Sequence, residues 1–222
     1  MQECYLYDHC NHIDCNGFCI KKFKLDYLYD NALFSDSQRK YMSLYIDNTG
    51  VDLEQFNRLK VIQDNILTFV GRGDNLYLHS KNCGNGKSSW ALRLVQSYFN
   101  KIWSKSKLEC KALFINVPKY LLAIKDNISE KSEYVAHIKE NVLNCDVVIW
   151  DDICNKYGTE FELTNLLNII EYRISHNKSN IYTSNISPNE LKQYLGDRLA
   201  SRIANCSECI ELRGYDKRQL RN

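Results

Sequence analysis

One short stretch of the sequence combines glycines with a lysine and a serine in an order suited to phosphate binding. Residues 80 to 88 read Ser-Lys-Asn-Cys-Gly-Asn-Gly-Lys-Ser. Glycines let successive backbone N–H groups turn toward phosphate oxygens, a lysine such as Lys87 reaches the outer phosphates, and a hydroxyl such as that of Ser88 holds magnesium. The apolar run before this stretch predicts a buried strand, and the residues after it predict a helix. This context predicts a nucleoside triphosphate site.

The usual form of such a loop is G-x-x-x-x-G-K-[ST], and this chain has Lys81 where the first glycine is expected. Ser80 takes that place if the loop is one residue longer. The simpler alternative is a strand-to-helix turn with incidental glycines. On the nucleotide interpretation, the residues expected to contact the nucleotide are Ser80, Lys81, Asn82, Cys83, Gly84, Asn85, Gly86, Lys87, Ser88 and Ser89.

Two adjacent carboxylates follow the apolar run of residues 147 to 150. Asp151 is suited to coordinating magnesium together with Ser88, and Asp152 could polarise the attacking water. A glutamate is the commoner second carboxylate in sites of this type, and the aspartate side chain is shorter, so the sequence predicts slow hydrolysis. An acidic loop after a buried strand, without catalytic meaning, is the alternative.

Two later segments supply further polar groups. The run Asn180 to Asn185 is an apolar strand that ends in small polar residues, of which Asn185 or Thr183 could hydrogen-bond the water or the outer phosphate. Asn185 could instead cap the helix that follows Pro188. Farther along, Arg202 could stabilise charge on a transferring phosphoryl group, although a solvated helical face would also explain it.

The amino-terminal region is rich in cysteine. Its thiolates could enclose a tetrahedral zinc, which would fold a segment too short and polar to have its own core, and His9 or His12 could replace one of them. Unliganded thiols are the alternative. The predicted zinc ligands are Cys4, Cys10, Cys15 and Cys19. Later cysteines in or beside apolar segments are predicted to lie in the core, namely Cys110, Cys145, Cys154, Cys206 and Cys209.

Strands alternate with helices along the rest of the chain, which predicts an α/β fold with a mostly parallel sheet covered on both faces. Ligands of such sheets bind beyond the carboxyl ends of the strands, where the motifs above fall. The predicted strands are Leu76 to His79, Ala112 to Ile115, Val147 to Trp150, Ile181 to Thr183 and Cys209 to Leu212. The predicted helices are Asp52 to Val70, Ser88 to Trp103, Ser132 to Leu143 and Phe161 to Ile174.

This organisation divides the chain into a cysteine-rich module (1–30), a helical connection (31–74) and one larger domain (75–222). The 29 basic and 27 acidic residues give a net charge of +2 and no global field that would draw the chain onto nucleic acid. No run approaches the ~18 apolar residues of a membrane span, and the N-terminus lacks a signal-peptide pattern. The sequence therefore predicts a cytoplasmic protein.

Taken together, the segments 76–88, 150–153, 182–185 and 195–203 resemble the AAA+ ATPases, and more narrowly the bacterial and phage DnaC/DnaI-type loaders of the replicative helicase. The resemblance implies a P-loop AAA+ core that binds ATP with Mg²⁺. It implies that Arg202, or Arg198 as a second candidate, acts on the nucleotide of an adjacent subunit, and that Asn185 is the sensor asparagine. Arg218 would reach the nucleotide from within its own subunit, unless it belongs to an ordinary basic tail.

The same resemblance implies three partners. The zinc-bearing amino-terminal region, residues 1 to about 70, would contact the replicative helicase, and the ATPase domain would assemble into a ring or spiral. Single-stranded DNA would be held by Lys119, Tyr120 and Lys125, where a stacking ring and cations suit a sequence-blind grip. The alternative for that segment is an amphipathic helix whose apolar residues pack on the sheet and whose lysines are merely solvated.

The leading hypothesis is thus an ATP-binding replication protein that loads or remodels the replicative helicase on single-stranded DNA, with slow hydrolysis as its switch. Two rivals use the same residues. One is a transposition helper ATPase with a similar core, and the other is a binding module that nucleotide locks into one conformation without significant hydrolysis.

Overall fold

The computed structural model describes residues 4–6, 10, 19–40, 44, 50–126, 131–154 and 159–216. Its centre is a five-stranded sheet in the order β2-β3-β4-β1-β5, and every neighbouring pair of strands is parallel. The strands are β1 (Asn75–His79), β2 (Ala112–Asn116), β3 (Val147–Asp151), β4 (Ser179–Ser184) and β5 (Ser207–Glu211). The predicted α/β class and parallel five-stranded sheet are confirmed, although β5 begins two residues before the predicted run.

Helices precede the sheet, connect its strands and cover both of its faces. They are α1 (Ile20–Asn31), α2 (Asp36–Arg39), α3 (Leu53–Asp64), α4 (Ile66–Arg72), α5 (Lys87–Ile102), α6 (Val117–Asp126), α7 (Glu133–Asn141), α8 (Glu160–Ser175) and α9 (Leu191–Asn205), with a 3₁₀ turn at Pro188–Glu190. In the described ranges, none of these helices is both long enough and apolar enough to cross a membrane.

The core lies on both sides of the sheet because successive strand residues point to opposite faces. In β1, Leu76 and Leu78 pack with helices α1, α3, α4 and α5, while Tyr77 between them packs with α6 to α9. All residues of β1, β3 and β4 are buried. Central parallel strands of this kind read as continuous apolar runs, which is why the sequence identified them.

Helix α1 crosses the predicted boundary between residues 30 and 31. Its Leu25, Leu28 and Tyr29 are buried in the same core cluster as α5, and the Tyr29 ring meets the Phe99 ring edge-on with centroids 5.3 Å apart. This packing was hard to predict because the apolar residues of α1 are interspersed with lysines. Residues 20–30 of the predicted cysteine-rich module therefore belong to a helix that packs on the main core.

The helix predicted from Asp52 to Val70 is divided in two. Asn65 ends α3 and begins α4 with φ −101° and ψ 23°, outside the helical region. Helix α4 then ends at Gly73, whose φ of 72° suits glycine, and a Cβ at this position would collide with the backbone of Asn177. With Gly73 as its cap, α4 thus has Arg72 as its last residue, two residues beyond the predicted helix end at Val70.

The predicted core cysteines divide into three groups. Cys145 and Cys154 are buried, and Cys110 and Cys209 are half-buried. Cys206 is exposed, so the core prediction is wrong for this residue. It lies at the carboxyl end of α9, in the turn that leads into edge strand β5, where a side chain can face solvent beside an apolar segment.

Candidate nucleotide-binding site

The glycine-rich stretch forms the connection between β1 and α5. Strand β1 ends at His79, and α5 runs for 16 residues from Lys87. Gly86, which caps the helix, has φ 106°, and Gly84 has φ 70°, a region of backbone space that favours glycine. The amino-terminal turn of a helix carries backbone N–H groups that the helix itself does not use, so this loop presents donors to an anion.

The departure from the usual pattern at Lys81 requires no distortion of the loop. Lys81 is exposed and is not among the residues with positive φ in the described part of the chain. The buried Ser80 organises the turn, because its hydroxyl accepts hydrogen bonds from the backbone N–H of Asn82 at 3.0 Å and from the side chain of Asn85. The hydrogen bonds of the Ser80 hydroxyl thus stabilise the turn in which a first glycine was expected.

Lys87 points into the loop. Its side chain is 6% exposed, and Nζ donates to the carbonyl oxygen of Asn82 at 3.0 Å and to Oδ1 of Asn85 at 3.5 Å. Both acceptors belong to the loop that is expected to surround the phosphates. The ammonium group is therefore held where a phosphate oxygen could replace a neutral carbonyl as its acceptor.

The carboxylate of Asp151 lies beside the first turn of α5. Its Oδ1 accepts hydrogen bonds from the Ser88 hydroxyl at 2.6 Å and from the Thr183 hydroxyl at 2.8 Å, and its Oδ2 faces Nδ2 of Asn116 at 3.4 Å. Carboxylate and hydroxyl oxygens are hard ligands of the kind Mg²⁺ prefers. The structure thus brings Ser88 and Asp151 together, and their chemistry fits a magnesium ion.

Asp152 is held by the same threonine. Its φ of 56° is unusual for a residue other than glycine, and its backbone N–H donates to the Thr183 hydroxyl at 3.0 Å. The next residue, Ile153, donates its N–H to the Thr183 carbonyl at 3.1 Å. Backbone positions of this kind persist only where their surroundings hold them, and they cluster at functional sites.

Two residues that position the site were not identified as such from the sequence. Asn116 was missed, and Thr183 was given another role. Asn116 ends β2 and contacts Asp151, and a polar residue at the carboxyl end of a predicted strand was the available signal. Thr183 was considered as a contact to water or phosphate, but it is fully buried and its hydroxyl is engaged by both aspartates. It therefore positions the carboxylate of Asp151 and the backbone of Asp152 instead.

The two remaining candidate groups lie on the surface. Asn185 is exposed just beyond β4, so its sensor role stays a prediction. Arg202 donates from Nε and Nη2 to one carboxylate oxygen of Glu171 at 3.0 and 2.9 Å, and Arg198 reaches the same oxygen at 3.5 Å. The hydrogen bond from Arg202 holds the pKa of Glu171 below its usual range. Both arginines thus face a carboxylate of their own chain.

Of the four predicted zinc ligands, Cys4, Cys10 and Cys19 are described by the structure, with Cys10 exposed and the other two half-buried. Cys15, His9, His12 and the nucleotide candidate Arg218 lie outside the described residues. Among the residues that are described, no group of three or more His, Cys, Asp or Glu side chains could hold a metal ion. The Cys19 side chain lies at the start of α1, where its sulfur accepts the N–H of Lys22 at 3.5 Å.

The predicted DNA contact is wrong for Tyr120. This side chain is 1% exposed, because it shares the inner face of α6 with Val117, Leu121 and Ile124 and packs in the core. A buried ring has no face for a base to stack on. Lys119 and Lys125 are exposed, the first over the Tyr134 ring at 4.9 Å and the second paired with Glu162 at 3.0 Å.

Solved structures of replication proteins share this architecture. A DnaC helicase loader matches with a TM-score of 0.62 and 20% identity over 76% of this chain and 93% of that chain. DnaI matches with a TM-score of 0.60 and 17% identity over 83% of this chain and 94% of that chain. The replication initiator DnaA, bound to AMPPCP and single-stranded DNA, matches with a TM-score of 0.56 and 16% identity. This match covers 75% of this chain but only 47% of that chain.

No protein-family model and no curated protein matches the sequence. At identities of 16 to 20%, the structural matches establish the fold. The chain therefore has the fold of the DnaC/DnaI-like AAA+ proteins, as the sequence resemblance implied, and its activity has to be argued from its own residues.

Proposed function

We propose that this protein is an ATP-binding DNA replication protein that loads or remodels the replicative helicase on single-stranded DNA, with slow ATP hydrolysis as its switch. The observation that carries the ATPase part is the 2.6 Å contact between Ser88 and Asp151 beside the buried Lys87. The replication part rests on the fold shared with DnaC over 93% of that chain.

In this mechanism the loop from Ser80 to Ser89 holds the triphosphate and Lys87 binds its outer phosphates. Ser88 and Asp151 would hold Mg²⁺, which, when bound, neutralises charge on the phosphates. Asp152 would orient the attacking water, and Thr183 fixes its backbone. Because the aspartate reaches less far than a glutamate, we propose that hydrolysis is slow until a partner rearranges this loop.

The amino-terminal helices are the proposed contact with the helicase. Ile20 and Phe23 lie one turn apart on α1 and are 64% and 63% exposed, although the opposite side of the same helix is buried. Side chains three residues apart share one face of a helix, so these two residues form an apolar surface that a partner could cover. Lys119 and Lys125 of α6 remain the proposed contacts to single-stranded DNA.

A loading assay tests this function. Purified protein, a bacterial replicative helicase and circular single-stranded DNA coated with its binding protein are mixed with ATP, and strand unwinding is measured. We expect unwinding that depends on both the protein and ATP. If the protein captures a transposase but no helicase, the function is instead that of a transposition helper. Loading that proceeds with a non-hydrolysable ATP analogue would favour the nucleotide-locked binding module.

We further propose that Cys4, Cys10, Cys15 and Cys19 bind structural zinc. Metal analysis of protein purified under reducing conditions is expected to give about one zinc per chain. Cys10→Ser should lower that content, and the matched control Cys206→Ser, which also replaces an exposed cysteine, should not. Zinc-free wild-type protein that retains its fold would contradict the proposal.

Arg202 is proposed to complete the site of an adjacent subunit. Its pairing with Glu171 is half-exposed, so the ion pair is weak enough for a neighbour's triphosphate to replace it. Arg202→Ala should lower hydrolysis by about 10³-fold while ATP binding persists. Mixing this variant with Lys87→Ala protein should restore part of the activity, because some interfaces then combine an intact loop with an intact arginine. Failure at every mixing ratio would argue against a role across subunits.

A further inference from the structure

We propose that Asp52 is a positioning residue for the nucleotide site, which it controls through the segment that follows β5. We call this segment, residues 212–216, the strap. The inference rests on the proposed function, because it concerns the affinity of the same site for ATP. It assigns a role to a residue that lies outside both the glycine-rich loop and the carboxylate pair.

The side chain of Asp52 does not cap the helix that it precedes. Asp52 immediately precedes α3, where an aspartate ordinarily caps the helix, yet its side chain makes no capping hydrogen bond. Instead, its Oδ1 accepts the backbone N–H of Arg213 at 2.7 Å and its Oδ2 accepts that of Gly214 at 2.8 Å. The residue is 3% exposed. A buried carboxylate is costly unless it is hydrogen-bonded, and here both oxygens are directed at the strap.

The strap in turn holds the glycine-rich loop. Nδ2 of Asn82 donates to the carbonyl oxygens of Arg213 and Gly214 at 3.1 and 3.2 Å, and Nδ2 of Asn85 donates to that of Leu212 at 2.9 Å. These are the two loop residues whose oxygens accept from Lys87. A continuous series of hydrogen bonds therefore joins Asp52, the strap, the two asparagines and the phosphate-binding lysine.

The strap also brings a negative charge to the loop. The carboxylate of Asp216 lies against Gly84 and occupies the space that a Cβ at that position would need. A charge this close to the expected phosphates opposes the binding of a triphosphate. Asp52 binds the strap and Asp216 belongs to it, and the two acids have opposite expected effects, because Asp52 fixes the position of the loop and Asp216 repels the ligand.

Because the two aspartates have opposite expected effects on ATP affinity, Asp216→Asn serves as the control for Asp52→Asn. A fluorescent ATP analogue is titrated with Mg²⁺ into the wild type, Asp52→Asn and Asp216→Asn, and the melting temperature of each protein is recorded. Asp52→Asn should bind about tenfold more weakly, the change expected from one lost charge-assisted hydrogen bond. Asp216→Asn should bind equally or more tightly. If charge alone mattered, both variants would bind more tightly, so equal or tighter binding by Asp52→Asn would overturn the inference.

A double variant tests whether Asp52 and the loop act through the same segment. Asn82→Ala removes both bonds from Asn82 to the strap, and adding Asp52→Asn should then cause a smaller further loss of affinity than Asp52→Asn causes alone, because of the strap–loop bonds described above only that of Asn85 remains. Independent, multiplying losses would overturn the inference. If Asp52→Asn melts below the assay temperature, Asp52→Glu replaces it: this change keeps the charge, displaces the strap and should also weaken binding, and unchanged affinity counts against the proposal. No binding by the wild type would refute the proposed function as well.

Discussion

Replacing Lys87 with alanine is expected to lower the affinity for Mg²⁺-ATP by at least about 100-fold, because the variant loses the charge-assisted hydrogen bonds from the ammonium group to the outer phosphates. Lys87 is buried within the loop, and no neighbouring lysine of the loop shares its placement, since Lys81 is exposed. Hydrolysis should fall to background. Calorimetric titration with ATP and release of inorganic phosphate measure the two effects.

The fold should survive this substitution. Nζ of Lys87 donates to two neutral oxygens of the loop, at 3.0 and 3.5 Å, and burying an ammonium group carries a desolvation cost that alanine removes. The melting temperature should therefore remain at or above that of the wild type. Lys139→Ala is the matched control, because this lysine is exposed on α7, outside both the glycine-rich loop and the carboxylate pair. Equal losses of ATP affinity in both variants would contradict a specific role for Lys87.

The sequence was sufficient for the features that depend on local pattern. Buried parallel strands are continuous apolar runs, and polar residues at their carboxyl ends meet at one edge of the sheet. For this reason Ser88 and Asp151, 63 residues apart, could be placed together before the structure showed their contact at 2.6 Å. The loop followed from its own glycines, since Gly84 and Gly86 have the positive φ that glycine allows.

Features that depend on which side of a helix faces the core were harder to predict. Tyr120 lies between two lysine-bearing positions, and the periodicity of a helix of ten residues leaves its exposed face ambiguous. The packing of α1 against α5 was hidden in a segment whose cysteines suggested a separate module. Sequence pattern cannot say which of two competing faces is covered, because that depends on residues far away in the chain.

Contacts between distant segments could not be predicted where no motif marks the two partners. Asp52 and Gly214 are 162 residues apart, and neither has a neighbour that marks it as a partner of the other. A single aspartate before a helix predicts a cap, which is the local solution, and the structure uses a distant one. The same holds for Glu171 and Arg202, which are 31 residues apart and belong to α8 and α9.

Arg173 is the clearest case of a distant contact that supports the site. It is completely buried in α8, and its guanidinium donates to the carbonyl oxygens of Val142 at 2.6 Å, Cys145 at 3.0 Å and Ser179 at 2.6 Å. Its Nε donates to Oδ1 of Asn180 at 2.8 Å. One side chain thus donates hydrogen bonds to backbone carbonyl oxygens at the end of α7, in the turn before β3 and at the start of β4.

Asn180 extends this network across the sheet. Its Oδ1 also accepts from Nε1 of Trp150 at 3.0 Å, and its Nδ2 donates to Oδ1 of Asn75 at 2.8 Å. The network therefore joins the strands β1, β3 and β4 in their buried interior. The glycine-rich loop and Thr183 lie toward the other ends of β1 and β4, and Asp151 directly follows Trp150 in β3, so the relative placement of these groups depends on the register that Arg173 and Asn180 help to hold.

Arg173→Met is accordingly expected to lower the free energy of unfolding by about 3–5 kcal/mol, because it leaves several buried acceptors without a donor while filling similar volume. Urea denaturation followed by circular dichroism measures this change as a lower midpoint with an unchanged slope. Arg72→Met, at the exposed end of α4, should change stability by no more than about 0.5 kcal/mol. A loss below about 1 kcal/mol for Arg173→Met would mean that water satisfies these carbonyls. The Arg173→Met variant should also bind ATP more weakly under conditions in which it is folded. The strands that carry Asp151 and the glycine-rich loop would then lack the hydrogen bonds of Arg173 that help to hold their register.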